Sequence, residues 1–390
     1  MKSVELFVGA GGLALGTAKA GFAHQALVEW DEDACRTIKE NQRRGQALVR
    51  HWPVFREDVT KFDFKGTIKG SVDLVSGGPP CQPWSNGGKH KGKDDQRNLF
   101  SEVVRAIREL QPRAILIENV KGITRKKFAK YFEYILLQLS YPELSQKKGE
   151  DWDTHLARLE KHHTSAPYQG LSYRVIFRLL NAANFGVPQK RERVFIVGFR
   201  SDLGIEWRFP QETHSQDALL WEQWVTGAYW ERNKVAKKNR PMVPTKFAGR
   251  IHRLRVRGVP PPAKPWLTVR DAISSLPDPE NTKAASAIPN HVFVDGARSY
   301  KGHTGSPLDE PAKTLKAGVH GVPGGENMLA KPDGSVRYFT VREAALLQTF
   351  PRNYVFSGAW GENMRQLGNA VPVTLAELHA KDIRGRLELK

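Results

Sequence analysis

The sequence predicts an α/β protein with a doubly wound, mostly parallel sheet, on three observations. Short apolar runs alternate with helical patterns through the first 120 residues, the first run ends in a glycine turn, and near residue 200 the chain becomes rich in Pro, Gly and charge. At 390 residues two domains are expected, and a 40% hydrophobic content supplies a substantial core and excludes wholesale disorder.

Each element follows from its pattern. Residues 4–8 read as a buried strand closing on the glycines at 9–12, with a helix to Ala20 behind them. Residues 26–29 make a second strand and 33–41 a second helix; Asp58 lies near the end of a third segment. Residues 72–76 form another apolar run. Phe100, Val103, Val104, Ile107 and Leu110 recur at helical spacing, and residues 114–117 are the next strand. In such a sheet ligands sit at the carboxyl ends of the strands. The polar stretch 140–170 reads as an insertion, residues 201–335 have few periodic segments, and helical periodicity returns at 340–350.

Charge narrows the partners. Sixty Lys and Arg against 41 Asp and Glu give a net +19, which points to a polyanion, nucleic acid or an anionic membrane surface. No apolar run approaches the roughly 18–20 residues of a spanning helix, so no membrane partner is expected. Eleven Lys or Arg against one Glu fall in residues 231–264, interleaved with Phe, Met, Ile and Leu, which reads as a folded basic surface. Lys2 and the apolar residues up to Leu15 imitate an export signal, but Glu5 and the glycines at 9, 11, 12 and 16 spoil it; an intracellular protein is expected. Two cysteines, Cys35 and Cys81, exclude a disulfide scaffold or a Cys-rich zinc site, and no metal is expected.

Four motifs carry chemistry. Glu5-Leu-Phe-Val-Gly-Ala-Gly-Gly-Leu-Ala-Leu-Gly16 is a glycine turn that lets the backbone approach a nucleotide-like ligand, in a frame that disfavours a hydride-transfer cofactor. Glu29, ending the second strand, can accept ribose hydroxyls; on position alone it is equally an ordinary surface carboxylate. Gly77-Gly-Pro-Pro-Cys-Gln-Pro-Trp-Ser85 presents Cys81 on a rigid turn as a nucleophile, whereas Cys35 reads as a small buried hydrophobe. Residues 86–98, with three glycines and three lysines, look like a lid. Glu118-Asn119-Val120 directly follows a strand, on the same rim as Cys81, where a carboxyl group can work as an acid. In Gln189-Lys-Arg-Glu-Arg, Arg191 and Arg193 alternate to one face of a strand, and by pattern alone are as readily surface arginines.

Together with Arg342-Glu-Ala-Ala-Leu-Leu-Gln-Thr-Phe-Pro351 and Gly368-Asn-Ala-Val-Pro372, and in this order, these motifs resemble the DNA cytosine-5 methyltransferases of the prokaryotic modification type. The resemblance covers residues 3–200 and 311–380. Glu5, where the family has Asp, departs from it conservatively.

The resemblance implies a Rossmann-like methyltransferase domain, residues 1–200 plus 340–390, with an inserted basic target-recognition domain at 201–339. It implies methyl transfer from S-adenosyl-L-methionine to C5 of a flipped-out cytosine in double-stranded DNA, with no metal. Cys81, Glu118, Arg193 and Arg191 would form the catalytic set, Arg193 holding the base and Arg191 bracing the loop or a phosphate. Phe7, Gly9, Ala10, Gly11, Gly12, Leu13, Glu29, Trp30, Asp58, Val59, Pro80, Leu99, Asn369 and Ala370 would contact the cofactor. Gln82, Ser85, Thr314 and Leu315 would contact DNA, and the Gly-rich 318–325 would approach its backbone. The resemblance further implies a monomeric, cytoplasmic prokaryotic or phage enzyme, as an orphan or beside a restriction endonuclease sharing its target. A tRNA methyltransferase of the same fold and a non-catalytic DNA-binding paralogue are the alternatives; the basic insert speaks against the first and the intact motifs against the second.

Overall fold

The computed structural model describes residues 1–80, 99–165, 169–317 and 327–390. Cys81, Gln82, Ser85, the 86–98 segment and the glycines of 318–325 lie outside the described residues. The chain divides into two compact units, Met1–Leu180 with Glu192–Phe209 and Ala376–Lys390, and Asn181–Arg191 with Pro210–Leu375. The motif-based boundary runs differently at 340–375, whose residues here fall in the second unit.

The first unit is built on a seven-stranded sheet of order β3-β2-β1-β4-β5-β7-β6. Its strands are β1 (Lys2–Leu6), β2 (Ala23–Glu29), β3 (Val54–Arg56), β4 (Leu74–Gly77), β5 (Ala114–Val120), β6 (Tyr173–Asn181) and β7 (Glu192–Arg200). Pairs β1–β2, β1–β4, β2–β3 and β4–β5 are parallel, and β7 runs antiparallel to β5. The order reverses at β1, so the crevice outside the carboxyl ends of β1 and β4 is the switch point where such sheets bind ligands.

The helices follow in the expected places. They are α1 (Gly12–Lys19), α2 (Glu32–Arg43), α3 (Phe64–Thr67), α4 (Phe100–Leu110), α5 (Ala129–Ser140) and α6 (Trp152–His163). Asp31 caps α2 by accepting from the Ala34 amide at 2.8 Å, with Glu32 and Asp33 in the first turn and Arg43 in the last, all favourable to the helix dipole. The central strands carry near-continuous apolar runs because both faces are covered: Val4, Leu6, Val75, Ile115 and Ile117 share one core with Val103 and Ile107 of α4.

Two strand ends differ from the pattern. β1 stops at Leu6 because Phe7 takes φ 58°, outside the β region. β5 runs three residues past Ile117, because antiparallel β7 continues the ladder through Glu118–Phe195 and Val120–Arg193. The 140–170 insertion folds: α6 packs Leu156 and Leu159 on Tyr134 and Leu137 of α5, and Tyr134 and the Leu144 carbonyl bind the two nitrogens of His155. The C-terminal helix α14 (Val373–Glu388) crosses α1 where Gly16 gives it room; a side chain there would lie 2.3 Å from Ala376 Cβ. Lys19 pairs with Glu377, and Arg384 donates to the Ala20 carbonyl.

The second unit contains α7 (Gln216–Trp221), α8 (Ala228–Arg232), α9 (Ala248–Arg257), α10 (Val269–Ile273), α11 (Thr282–Ala285), α12 (Val341–Leu347) and α13 (Trp360–Asn369), with short strands between them. Tyr229, Trp230 and Trp266 centre one of its cores.

Glu5 lies fully inside the first unit, opposite Ser76, whose hydroxyl donates to Oε2 at 2.9 Å. Burial pushes its carboxyl up to about 8 from 4.5, although the Ser76 hydroxyl and the Ala14 amide act the other way. The folded protein thus holds a proton that the unfolded chain releases, and stability declines as pH rises from about 4.5 to about 8. Glu5→Gln should therefore lose less Tm than the parent between pH 5 and 8 in thermal unfolding.

Candidate active site

At the end of β1 the backbone turns through Phe7 and Gly9, both with positive φ, into α1, whose N-cap Gly11 is left-handed at φ 87°. A Cβ at Gly9 would meet nothing within 4 Å, so the loop presents bare backbone to open space. Ala10 and Leu13 are buried beneath it and Val59 packs in the adjoining core.

The end of β2 faces this loop. Glu29 accepts from the Gly9 amide through Oε2 at 2.7 Å and from the Asp31 amide through Oε1 at 2.8 Å. These bonds fix the carboxylate while each oxygen keeps accepting capacity for a further donor. Burial raises its pKa against those two amides, with the Asp31 charge adding to the rise. Trp30 follows, 74% exposed. Asp58, past β3, accepts from the amide and hydroxyl of Thr60 at 3.0 and 2.9 Å, which holds its carboxyl below the usual range. Cys35 is buried as expected, donates to the Glu29 carbonyl, and burial pushes its thiol up to about 12, so it is inert as a nucleophile.

Across the switch point the Gly77-Gly-Pro-Pro turn leaves β4. Gly77 must lack a side chain, since a Cβ would stand 2.8 Å from the Leu6 carbonyl oxygen. A Cβ at Gly78 would lie 3.3 Å from Glu118 Oε2, so that carboxylate sits against bare backbone. Arg193 Nε meets Glu118 Oε1 at 2.9 Å, and its Nη1 donates to the Glu192 carbonyl at 2.8 Å. Burial lowers the Arg193 pKa, and the Glu118 charge opposes the fall. This nearly buried ion pair fixes both side chains at the rim.

Asn119, assigned no role by its motif, donates from Nδ2 to the Pro79 carbonyl at 3.1 Å and so ties β5 to the turn that leads into Cys81. Leu99 stands at the N-cap of α4 on the far side of the segment outside the description.

In the second unit two of the expected site residues lie in the interior. Arg191, expected to brace the loop or a phosphate, is fully buried, and its guanidinium donates to the carbonyls of Leu315 (3.2 Å), Gly368 (2.7 Å) and Ala370 (2.8 Å). It braces the backbone on either side of Asn369. Leu315, expected to contact DNA, has a buried side chain, and its amide donates to Gln189 Oε1 at 3.0 Å. Thr314 donates its hydroxyl to the Lys190 carbonyl at 2.7 Å. Gln189 opens the motif that drew attention for its arginines, and Gln348 donates to the Leu367 and Ala370 carbonyls; neither role was read from sequence. Asn369 itself is exposed, and Ala370 is buried.

A bare glycine loop thus faces an anchored carboxylate at the switch point, and the Glu118–Arg193 pair stands at the same rim. Comparison with known proteins makes this specific: the chain belongs to the C-5 cytosine-specific DNA methylases, whose family pattern matches residues 1–142 and 154–385, and it is a DNA cytosine-5 methyltransferase. The match breaks at 143–153, inside the insertion that leads into α6. The chain is 31% identical over 374 residues to the type II methyltransferase M.PspPI of Psychrobacter sp. (strain TA137), covering 96% of this chain and 76% of that protein. It is 30% identical over 383 residues to M.Eco47II of Escherichia coli, covering 97% and 78%. Among solved structures, an E. coli prophage protein described as a DNA modification methyltransferase shares the fold at TM-score 0.59 and 22% identity, covering 100% of this chain and 99% of that one. The S. pombe Dnmt2 methyltransferase does so at 0.55 and 18%, covering 100% and 99%.

Removing the Arg191 guanidinium strands the Leu315 and Gly368 carbonyls in the interior, each costing about 1–3 kcal/mol unsatisfied, while Ala370 keeps Gln348. Arg191→Ala should therefore unfold at least about 2 kcal/mol more easily in urea than the parent.

Proposed function

We propose that this enzyme methylates C5 of a flipped-out cytosine in a specific double-stranded DNA sequence through a covalent Cys81–C6 adduct, as the modification partner of a restriction system. The buried Glu118–Arg193 pair, tied through Asn119 to the turn before Cys81, supports this reading most directly. The residues of the cofactor site fit S-adenosyl-L-methionine: the open backbone at Gly9 suits close approach, and Glu29 retains accepting capacity for ribose hydroxyls. Phe7, Gly11, Gly12, Trp30, Asp58, Pro80, Leu99 and Asn369 complete the proposed contacts, with residues 1–200 and 340–390 serving catalysis and 201–339 recognition. When bound, this cofactor supplies an electrophilic methyl group.

The protein's part is to make C5 nucleophilic. Cys81 as thiolate adds its electron pair to C6, and the ring electrons shift toward N3 and C5. Glu118 shares a proton with N3 and stabilises the charge there, while Arg193 holds Glu118 in place and helps grip the base. With the cofactor bound, its methyl group would pass to C5 and the sulfur would leave with the bonding pair as a neutral thioether; the C5 proton is then lost to solvent, N3 returns its proton to Glu118, and the Cys81–C6 bond breaks to restore the aromatic ring and the thiolate. Because C6 is inaccessible within the duplex, the base must leave the stack, at a cost of about a few kcal/mol. Gln82, Ser85 and Thr314 are the proposed DNA contacts near the flipped nucleotide. A type II endonuclease with the same target is the expected companion, on the analogy of the named type II relatives. Among the described residues no helix is long and apolar enough to cross a membrane.

Unmethylated plasmid incubated with the enzyme and S-adenosyl-L-methionine, then sequenced for 5-methylcytosine, should show one modified sequence. Cys81→Ser should abolish the signal; methyl transfer at near-parental rate would rule out the adduct, and transfer to tRNA but not DNA would overturn the substrate. The raised Glu29 pKa gives a second expectation. As pH falls through it, the carboxylate gains a proton and loses accepting capacity, so cofactor affinity by calorimetry should weaken as the solution is acidified; Glu29→Gln should bind more weakly and without that dependence.

A further inference from the structure

The basic run 231–264 is not uniform in the folded chain. Several of its cations are engaged within the second unit: Arg232 with Glu222, Lys246 with Glu310 at 3.0 Å, Arg250 with Asp217 and with Gln216 Oε1 at 2.7 Å. Arg240 donates to the Val235 carbonyl, and Arg255 to the Trp224 carbonyl at 2.8 Å. Arg253 and Arg257 have no such partner among the described residues, and both stand on α9.

α9 has two clearly different faces. Ile251 and Leu254 are buried with Leu220, against Trp221, Trp224, Val225 and Phe247. With Arg250 braced on α7, this anchors the helix to a rigid platform. The opposite stripe is Gly249, His252, Arg253, Val256 and Arg257, spaced so that all five share one exposed face. Gly249 leaves its first turn bare, since a Cβ there would meet only Arg253 Nη1 at 3.9 Å. Val256 is 74% exposed between the arginines. The helix has four arginines, no lysine and no acidic residue, and Gly258 stops it at φ 69° before Pro260-Pro261-Pro262.

We propose that α9 enters the major groove of the target DNA, with Arg253 and Arg257 reading guanine edges and Val256 meeting a thymine methyl group; this rests on the reading of the chain as a duplex-DNA methyltransferase. The charge fits: an all-positive face on a polyanion-acting protein has duplex DNA as its complement. The planar guanidinium matches guanine O6 and N7 bidentately, the commonest base-specific contact in the major groove, and it also pairs with phosphate, so the two roles are told apart by the target profile. An isolated exposed valine gains nothing in water but fits a methyl-lined groove floor. The dimensions agree, since an α-helix fits a groove about 12 Å wide, and the four-residue offset of Arg253 and Arg257, about 6 Å along the axis, spans about two base-pair steps.

The test is target profiling of the intact enzyme. A randomised duplex library is methylated by the parent, Arg253→Ala, Arg257→Ala and Val256→Ser, and sequenced for 5-methylcytosine, with KM for DNA and its salt dependence measured on the preferred site. Each arginine variant should lose guanine preference at one position, the two positions lying within about two steps of each other, and KM should rise about tenfold or more with kcat little changed. Val256→Ser should relax a thymine position. An unchanged target sequence overturns the proposal, whether the variants behave as the parent or lose only salt dependence, as phosphate contacts would. A parent enzyme that leaves no 5-methylcytosine overturns the methyltransferase reading itself. The three side chains are exposed, so all variants should melt with the parent.

Discussion

The closeness of β4 to β1 is the constraint on which the first unit depends. At Gly77 the two backbones approach until a methyl group would stand 2.8 Å from the Leu6 carbonyl. Since both strands are parallel and both end here, the chain leaves them as two turns at one rim: the open loop through Gly9 and the Pro79-Pro80 turn before Cys81. Neighbouring β2 and β5 bring carboxylates to the same edge, Glu29 by one route and Glu118 by the other. A larger residue at 77 would separate the strands that make the Gly9 loop and the Pro79-Pro80 turn, the proposed cofactor site and the approach to the proposed nucleophile, neighbours.

Much of this was legible from sequence because it depends on strand order and strand ends. Alternating patterns located β1, β2, β4 and β5 to within a few residues, and a residue at the end of a parallel strand is at the rim whatever the rest of the fold does. Glu29 and Glu118 follow from that geometry. The pairing of Arg193 with Glu118 needed the structure, because the antiparallel insertion of β7 beside β5 leaves no local signal.

The burial of Arg191 and Leu315 was not legible in the sequence, for physical reasons. Alternation along a strand put Arg191 and Arg193 on one face, but β7 begins only at Glu192, and the preceding residues form an isolated bridge, Gln189 to Ala312, outside the sheet. Outside a strand the alternation rule has no force, and the guanidinium turns inward to carbonyls 124 to 179 residues distant in sequence. A side chain satisfied by remote backbone has no signature in its own neighbourhood. Glu5 shows the converse: its type is visible in the motif, while its buried, proton-holding state appears only once β4 closes over it.

The way β5 is held at the rim has a mechanical consequence. Glu118 is paired with Arg193 of β7 on one side, and its neighbour Asn119 donates to the Pro79 carbonyl of the turn after β4 on the other. A strand pinned along both edges at one level has almost no freedom to slide, so the carboxylate proposed to do chemistry on the base keeps its height above the sheet.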